Sequence, residues 1–372
     1  MLVGVPREIK DNEFRVGLTQ ESVNEVVRHG HQVLVERGAG DGIGAGAQDY
    51  LAAGAQIVDS AEEIFARADL IVKVKEPQAN ERAMLRPDQV LFTYLHLAPD
   101  PEQTRDLVAS GAVCIAYETV TAPAGGLPLL APMSEVAGRL AVQAGAHCLE
   151  RAHGGKGKLL GGVPGVDPAK VVIIGGGVVG THAAHIAIGM GADTWVIDRS
   201  ADALKRLWTQ FGRPLNTVFS TRTALERHVR DADLVIGGVL VPGAAAPKLV
   251  TREMIAAMET GSVVVDVAID QGGCFETSKA TTHSHPTYLV DGVVHYCVAN
   301  IPGAVPRTST HALNNATLPH VLTLCDKGYA QALADDPHLR NGLNVHKGDV
   351  TSREVAQELG YAFVEPMQSM AR

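Results

Sequence analysis

The chain lacks the usual means of stapling a fold or crossing a membrane. Its five cysteines, Cys114, Cys148, Cys274, Cys297 and Cys325, are odd in number, far apart and without a C-x-x-C pair. That excludes a disulfide framework and reads as reduced thiols in a reducing compartment. Excess positive charge is also missing. The 32 Lys and Arg stand against 41 Asp and Glu, for a formal charge of -9, which argues against nucleic acid or an anionic membrane as the main partner. Charges arrive at Arg7 and Glu8, too early for the apolar stretch of a signal peptide. The uncharged run from Val171 to Ala192 has the length of a membrane span, but glycines divide it into strand, turn and helix. Aromatics are few, with 7 Phe, 7 Tyr and 2 Trp.

Glycine is abundant, with 39 residues and no strict three-residue period, so collagen is excluded. At roughly 150 residues per domain, 372 residues give two domains or three. A soluble chain rich in Gly, Ala and Val suggests parallel sheets with tight βα turns. The pattern along the chain agrees. Short apolar runs at 2–5, 32–35, 55–58, 70–74, 90–95 and 113–117 alternate with helical stretches. Ser60 with Glu63, and Asp100 with Pro101 and Gln103, carry helix-start signals. An Ala-rich helix is expected over 132–151, followed by a loop over 153–168 with six glycines and two prolines. A second βα series places strands at 171–174, 194–197, 218–219, 234–236, 263–267 and 293–298. A final long helix, 308–334, is expected to kink at Pro319, and the tail ends in a helix over 352–359.

The clearest motif is Gly175-Gly176-Gly177-Val178-Val179-Gly180, directly after the apolar run at 171–174. Gly175, Gly177 and Gly180 match G-x-G-x-x-G in its strand–turn–helix setting. The first glycine allows the tight turn, the second admits a pyrophosphate, and the third lets helix and strand pack closely. The helix N-terminus offers free N–H groups to phosphate. The next strand ends at Asp198, 18 residues past Gly180, where an acid accepts ribose hydroxyls and repels a 2′-phosphate. Arg199 beside it leaves NADP open.

Ligands of open α/β sheets bind outside the carboxyl ends of the strands. That rule selects Arg15, Lys75 and His96 in the first domain, and Asp270 and Asn300 in the second. Arg15 suits a small carboxylate, Lys75 a carbonyl oxygen, and His96 proton transfer near neutral pH. Asp270 can offset a cationic intermediate or orient water. Lys73 is mid-strand and poorly placed to reach a cleft, Cys274 reads as a plain loop thiol, and the His283–His285 pair lacks further ligands at metal spacing, so no metal is expected.

Val5-Pro6-Arg7-Glu8-Ile9-Lys10, then Arg15-Val16, the GGGVVG turn and Asp198 together resemble the alanine dehydrogenase and transhydrogenase family, over the whole chain and closest to its bacterial alanine dehydrogenase branch. The resemblance implies an α/β fold of two Rossmann-like, doubly wound parallel-sheet domains with a cleft between them. The first would be a discontinuous substrate domain, 1–130 with 304–372, and the second an NAD-binding domain, 131–303. It implies a cytoplasmic homohexamer that converts L-alanine, NAD and water reversibly to pyruvate, ammonium and NADH. Arg15 and Lys75 would bind substrate, with His96 and Asp270 catalytic. NAD would meet Ser134, Gly175, Gly177, Val178, Val179, Gly180, Asp198, Ser220, Val239 and Leu240, with Val267, Ala268, Ile269, Asp270, Val298, Ala299, Asn300 and Ile301 completing its pocket. Some relatives carry a base five residues after the ribose acid, where this chain has Ala203; Lys205 or Arg206 is the nearest substitute. Three rivals stay open. A transhydrogenase component passes hydride between two nicotinamides and gives His96 and Asp270 no task, a saccharopine-type dehydrogenase needs room for a larger substrate, and a dinucleotide sensor keeps the fold without turnover.

Overall fold

The computed structural model describes residues 1–239 and 246–372. In chain order the strands are β1 (Leu2–Val5), β2 (Gln32–Glu36), β3 (Gln56–Val58), β4 (Leu70–Val72), β5 (Val90–Thr93), β6 (Val113–Ala116), β7 (Lys170–Ile174), β8 (Asp193–Asp198), β9 (Leu215–Phe219), β10 (Leu234–Gly237), β11 (Val263–Asp266), β12 (Thr287–Val290), β13 (Val293–Tyr296), β14 (Leu343–His346) and β15 (Asp349–Val350). The chain divides into two compact units, one of residues 1–133 and 305–372, the other of residues 134–304. None of the described helices is long and apolar enough to cross a membrane.

In the first unit the sheet order is β15-β14-β6-β5-β4-β1-β2-β3. Its parallel part, β3-β2-β1-β4-β5-β6, is the 3-2-1-4-5-6 order of a doubly wound Rossmann sheet, with its switch point between β1 and β4. Side chains alternate across this sheet. Leu70, Val72, Val90, Phe92, Val113 and Ile115 face a core that includes Leu313, Val321 and Leu324 of the helix Pro306–Asp335. Ile71, Leu91 and Cys114 face the opposite core, with Ile64, Leu107 and Val355 from helices on that side. Because both faces are covered, the strands read as unbroken apolar runs. Helix starts follow local chemistry: the side chains of Thr19, Ser60 and Asp100 accept the backbone N–H groups of Ser22, Glu63 and Gln103.

The second unit repeats the plan, with order β12-β13-β11-β10-β7-β8-β9, again 3-2-1-4-5-6 from β9 to β13 and with the switch point between β7 and β10. Val171, Val172, Ile173 and the whole of Val263–Val265 are fully buried.

Three features depart from the sequence reading. β12 pairs antiparallel with β13, and β14 pairs antiparallel with β6 and β15, adding edges that the βα rhythm does not announce. The long C-terminal helix keeps helical φ/ψ through Pro319 and breaks at Gly328 (φ 73°, ψ 154°). Gly328 takes the break because it carries no Cβ to oppose a positive φ. β4, β5, β11 and β13 also end earlier than their apolar runs, so Lys75, His96, Asp270 and Asn300 stand on the connecting segments beyond the ladders.

Candidate functional site

The turn after β7 assigns each motif glycine a physical task. Gly175 has φ 102°, a conformation that strains any side chain. A Cβ on Gly180 would lie 1.8 Å from the Gly175 carbonyl oxygen, so helix and turn are in direct backbone contact. A Cβ on Gly177 would meet nothing within 4 Å. The chain therefore leaves the surface beside Gly177 open. Gly177 is also the N-cap of the helix Val178–Gly189, whose first N–H groups and dipole face that opening.

Asp198 ends β8 and pins this turn. Its Oδ2 accepts the Gly176 N–H at 2.6 Å, and its Oδ1 accepts the Ser200 N–H at 2.7 Å. Ser220 donates its N–H to the Asp198 carbonyl at 2.9 Å and borders a shallow cavity with Thr221, Arg222, Leu225, Lys248 and Met254. Val239 follows β10, its Cγ2 within 3.2 Å of where a Gly175 Cβ would stand. Val178 is exposed and Val179 buried. Leu240 lies outside the described residues. Ser134, half-buried, stands one helical turn before Gly138, where a Cβ would come within 2.2 Å of the Val179 carbonyl. Arg206 holds the turn from below, donating from Nη2 to the Gly176 carbonyl at 2.6 Å and to Thr181 Oγ1 at 3.3 Å. Arg206 thus braces the glycine turn.

Beyond β11, a residue not singled out from sequence organises the loop. Asp266 is fully buried and accepts the N–H groups of Ala268 at 3.1 Å and Cys274 at 2.9 Å, and the Ser278 hydroxyl at 2.5 Å. Burial pushes its carboxyl above the ordinary value despite these bonds. It caps the 3₁₀ turn Val267–Gln271, which buries Ala268 and Ile269 and presents Asp270 to solvent. Asn300 has φ 60°, and its carbonyl accepts the Gly303 N–H at 2.8 Å and lies 3.2 Å from His283 Nε2. Val298 and Ile301 are buried beside it, and Ala299 is half-buried. This bond to the Asn300 carbonyl is the part His283 takes; His285 stays exposed.

In the first unit, the segments after β1, β4 and β5 carry Arg15, Lys75 and His96. Arg15 is 2% exposed, and its Nε and Nη2 form a forked pair with Glu13 at 2.7 and 2.5 Å, while Nη1 lies 3.0 Å from the Met133 sulfur. Burial opposes its charge, but Glu13 more than compensates and holds the guanidinium above its ordinary value. The fork that the sequence reading reserves for a ligand is thus shared with Glu13.

Lys75 is half-buried, and its carbonyl accepts the Thr93 hydroxyl at 2.9 Å. Its backbone is anchored by Glu8, whose Oε1 accepts the N–H of Val74 at 2.7 Å and of Lys75 at 3.3 Å. Glu8 Oε2 in turn meets Lys73 Nζ at 3.2 Å, and Lys73 also donates to Glu81 Oε1 at 2.6 Å. Lys73 is fully buried. Burial opposes its charge, but the two carboxylates outweigh that and hold the ammonium above its ordinary value.

His96 is exposed and adopts φ 50°, left-handed backbone that a β-carbon disfavours. Glu118 compensates: its Oε1 accepts the His96 N–H at 2.6 Å and both its oxygens accept the Leu95 N–H at 3.2 Å. The same oxygen is 3.8 Å from His96 Nδ1. Tyr94 stacks on the His96 ring, centroids 5.8 Å apart. Glu8, Glu13 and Glu118 therefore stand behind the three selected residues, in supporting roles that residue order alone does not assign. The five cysteines are buried, and burial pushes the thiols up, to about 12 for Cys114 and about 11 for Cys148, so none is poised as a nucleophile.

Comparison with known proteins places this geometry. Residues 4–137 match the family model "Alanine dehydrogenase/PNT, N-terminal domain", and residues 141–353 match its C-terminal domain. A curated alanine dehydrogenase of Halomonas elongata is 60% identical over 365 residues, 98% of each chain. A solved L-alanine dehydrogenase superposes with a TM-score of 0.94 at 52% identity, covering 97% of this chain and 99% of that one. A transhydrogenase from Sinorhizobium meliloti superposes at 0.83 with 26% identity, covering 94% and 100%. Two family models in order along the chain, and 60% identity over nearly its full length, settle the relationship: the protein belongs to the alanine dehydrogenase/PNT family.

Proposed function

We propose that the protein is an NAD-dependent alanine dehydrogenase, which converts L-alanine and water reversibly to pyruvate and ammonium. Family and fold together imply a pyridine nucleotide. The residues fit one, because the surface beside Gly177 is open and the helix N-terminus behind it is free of a side-chain cap. NAD rather than NADP is favoured by Asp198 at the end of β8, since an acid there would accept ribose hydroxyls and repel a 2′-phosphate. The second unit would hold the nucleotide through the Gly175–Gly180 turn, Val178, Val179, Asp198, Ser134, Ser220, Val239, Leu240 and the segments 267–270 and 298–301. When bound, the nicotinamide ring accepts hydride from the substrate Cα and returns it in the reverse direction.

The chain's own groups supply the rest. Arg15, its plane fixed by Glu13, draws the substrate carboxylate. Lys75, held in place by Glu8, stabilises negative charge on the reacting oxygen, the kind of preorganised charge that dominates many active sites. His96 takes and returns protons as water adds to the iminium carbon and ammonia leaves. Asp270 offsets the iminium charge and orients the water. The observation that carries this reading is the 60% identity to a curated alanine dehydrogenase over 98% of each chain, and the reading gives His96 and Asp270 a task. Direct transfer between two nicotinamides needs neither.

The test follows NADH oxidation with pyruvate, with and without ammonium. Ammonium-dependent oxidation is expected. Oxidation that ignores ammonium, or none at all, overturns the reading, and hydride transfer to an NADP analogue without pyruvate favours the transhydrogenase. Repeating the assay with NADPH tests Asp198. The family resemblance also carries a cytoplasmic homohexamer, which sedimentation velocity and cell fractionation test.

A further inference from the structure

The helix Ala131–Cys148 ends in a feature that the reaction does not use. His147, Glu150 and His153 are spaced three residues apart across the helix end and the 3₁₀ turn Arg151–His153. The Glu150 N–H donates to the His147 carbonyl at 3.1 Å, and the His153 N–H to the Glu150 carbonyl at 3.0 Å. Successive bonds of this i to i+3 kind eclipse side chains three apart, so all three project from one edge. A close backbone approach keeps the turn tight, since a Cβ on Gly155 would lie 2.3 Å from the Cys148 carbonyl.

The donor atoms converge. His147 Nδ1 is 3.6 Å from Glu150 Oε1, His153 Nε2 is 3.7 Å from Glu150 Oε2, and one ligand atom from each residue fits within 4.8 Å of the others. A tetrahedral ion with bonds of about 2.0–2.2 Å sets its ligand atoms about 3.4 Å apart. The two imidazole rings lie 3.7 Å apart, centroid to centroid, so both stand on one small patch with the Glu150 carboxylate. All three residues are exposed. The carbonyls that end the helix add the negative pole of its dipole, which favours a cation. Among the described residues this is the one such group of three His, Cys, Asp or Glu.

We propose that His147, Glu150 and His153 form a binding site for a borderline-soft divalent ion of the zinc class, with water completing the shell. Two imidazoles and one carboxylate select such an ion over magnesium or calcium, which take oxygen ligands. The ion would tie the end of the helix to the turn that opens the glycine-rich segment 153–168. It would also stabilise the folded chain by mass action. The pattern H-x2-E-x2-H escapes a sequence search because it spans a helix end and matches neither a helical nor a zinc-finger spacing.

The test uses the full, tag-free chain stripped with EDTA and titrated with Co²⁺, read by its visible d–d absorption, then with Zn²⁺ in competition. One saturable equivalent per chain is expected. It should weaken at least about tenfold in Glu150→Gln and vanish in the His147→Ala/His153→Ala double variant, given that even outer-shell changes cost about 10–100-fold in metal affinity. Thermal unfolding without metal should be the same in the double variant and the native chain, since the three side chains are solvent-exposed. Absence of saturable binding in the native chain, or equal binding in the double variant, overturns the proposal.

Discussion

Glu118 accepts the backbone N–H of His96 at 2.6 Å while the same oxygen lies 3.8 Å from the His96 ring nitrogen. One carboxylate thus stabilises a left-handed backbone and faces the imidazole that this backbone presents. Glu118→Gln is expected to lower kcat roughly tenfold to a hundredfold, the worth of one hydrogen bond to a charged group. Nucleotide affinity should be unchanged, because the residue stands in the other unit. A purely structural role would instead lower thermal stability in step with kcat, so unfolding midpoints and kcat are both to be measured.

The two motif glycines predict opposite outcomes for the same substitution. Gly177→Ala adds a methyl that meets no protein atom, at φ -72°, so stability should hold while dinucleotide affinity falls. Gly180→Ala drives a methyl into the Gly175 carbonyl, so the turn must shift and stability should fall as well. Unfolding midpoints and nucleotide titration of the two variants separate these effects.

Lys73 answers two buried carboxylates, Glu8 and Glu81. Lys73→Met should cost about 3–5 kcal/mol, the usual penalty for leaving buried charge uncompensated. Because Glu8 also holds the Lys75 backbone, the variant should lose turnover out of proportion to its stability at temperatures where it remains folded. Denaturant unfolding and kcat on the same preparation check this.

Asp233 predicts a dependence on acid. Burial alone would raise its carboxyl, but bonds from Lys156 at 2.5 Å, the Lys170 N–H at 2.7 Å and Lys158 at 2.9 Å outweigh that and hold it below its ordinary value. A depressed carboxyl stabilises the fold above the unfolded value of about 3.9, and that contribution is lost as pH falls through the folded value. Asp233→Asn should therefore be less stable than the native chain at pH 7. The gap should close below about pH 4, as followed by unfolding midpoints across that range.

Much of this could be read from residue order. Apolar runs that stay buried on both faces gave away the parallel strands, and the glycine turn lay where strand, turn and helix required it. The supporting acids were not legible, because their roles depend on distant partners. Glu118 meets His96 from 22 residues away, and Glu8 meets Val74 from 66. β14 was missed for a related reason: Leu343–His346 alternates too briefly to stand out, and only its pairing with β6 makes it a strand. Pro319 drew attention as a helix breaker, yet the chain breaks at Gly328, where the backbone rather than a ring sets the angle. The glycines of segment 153–168 also found reasons only in space, as at Gly161, where a Cβ would lie 2.2 Å from the Met190 carbonyl.

The interleaved order of the two units bears on how the chain is made. β6 hydrogen-bonds on one side to β5 and on the other to β14, which lies beyond the whole of the second unit. At about 5–20 residues per second, a ribosome takes on the order of tens of seconds to travel from one to the other. Throughout that interval the edge around Val113–Ala116 is unpaired and apolar, the kind of strand edge that recruits foreign chains. Residues 134–304, an unbroken stretch with a core of their own, can complete their sheet first, so the protein closes from its middle outward and its N-terminal unit is the last to be sealed.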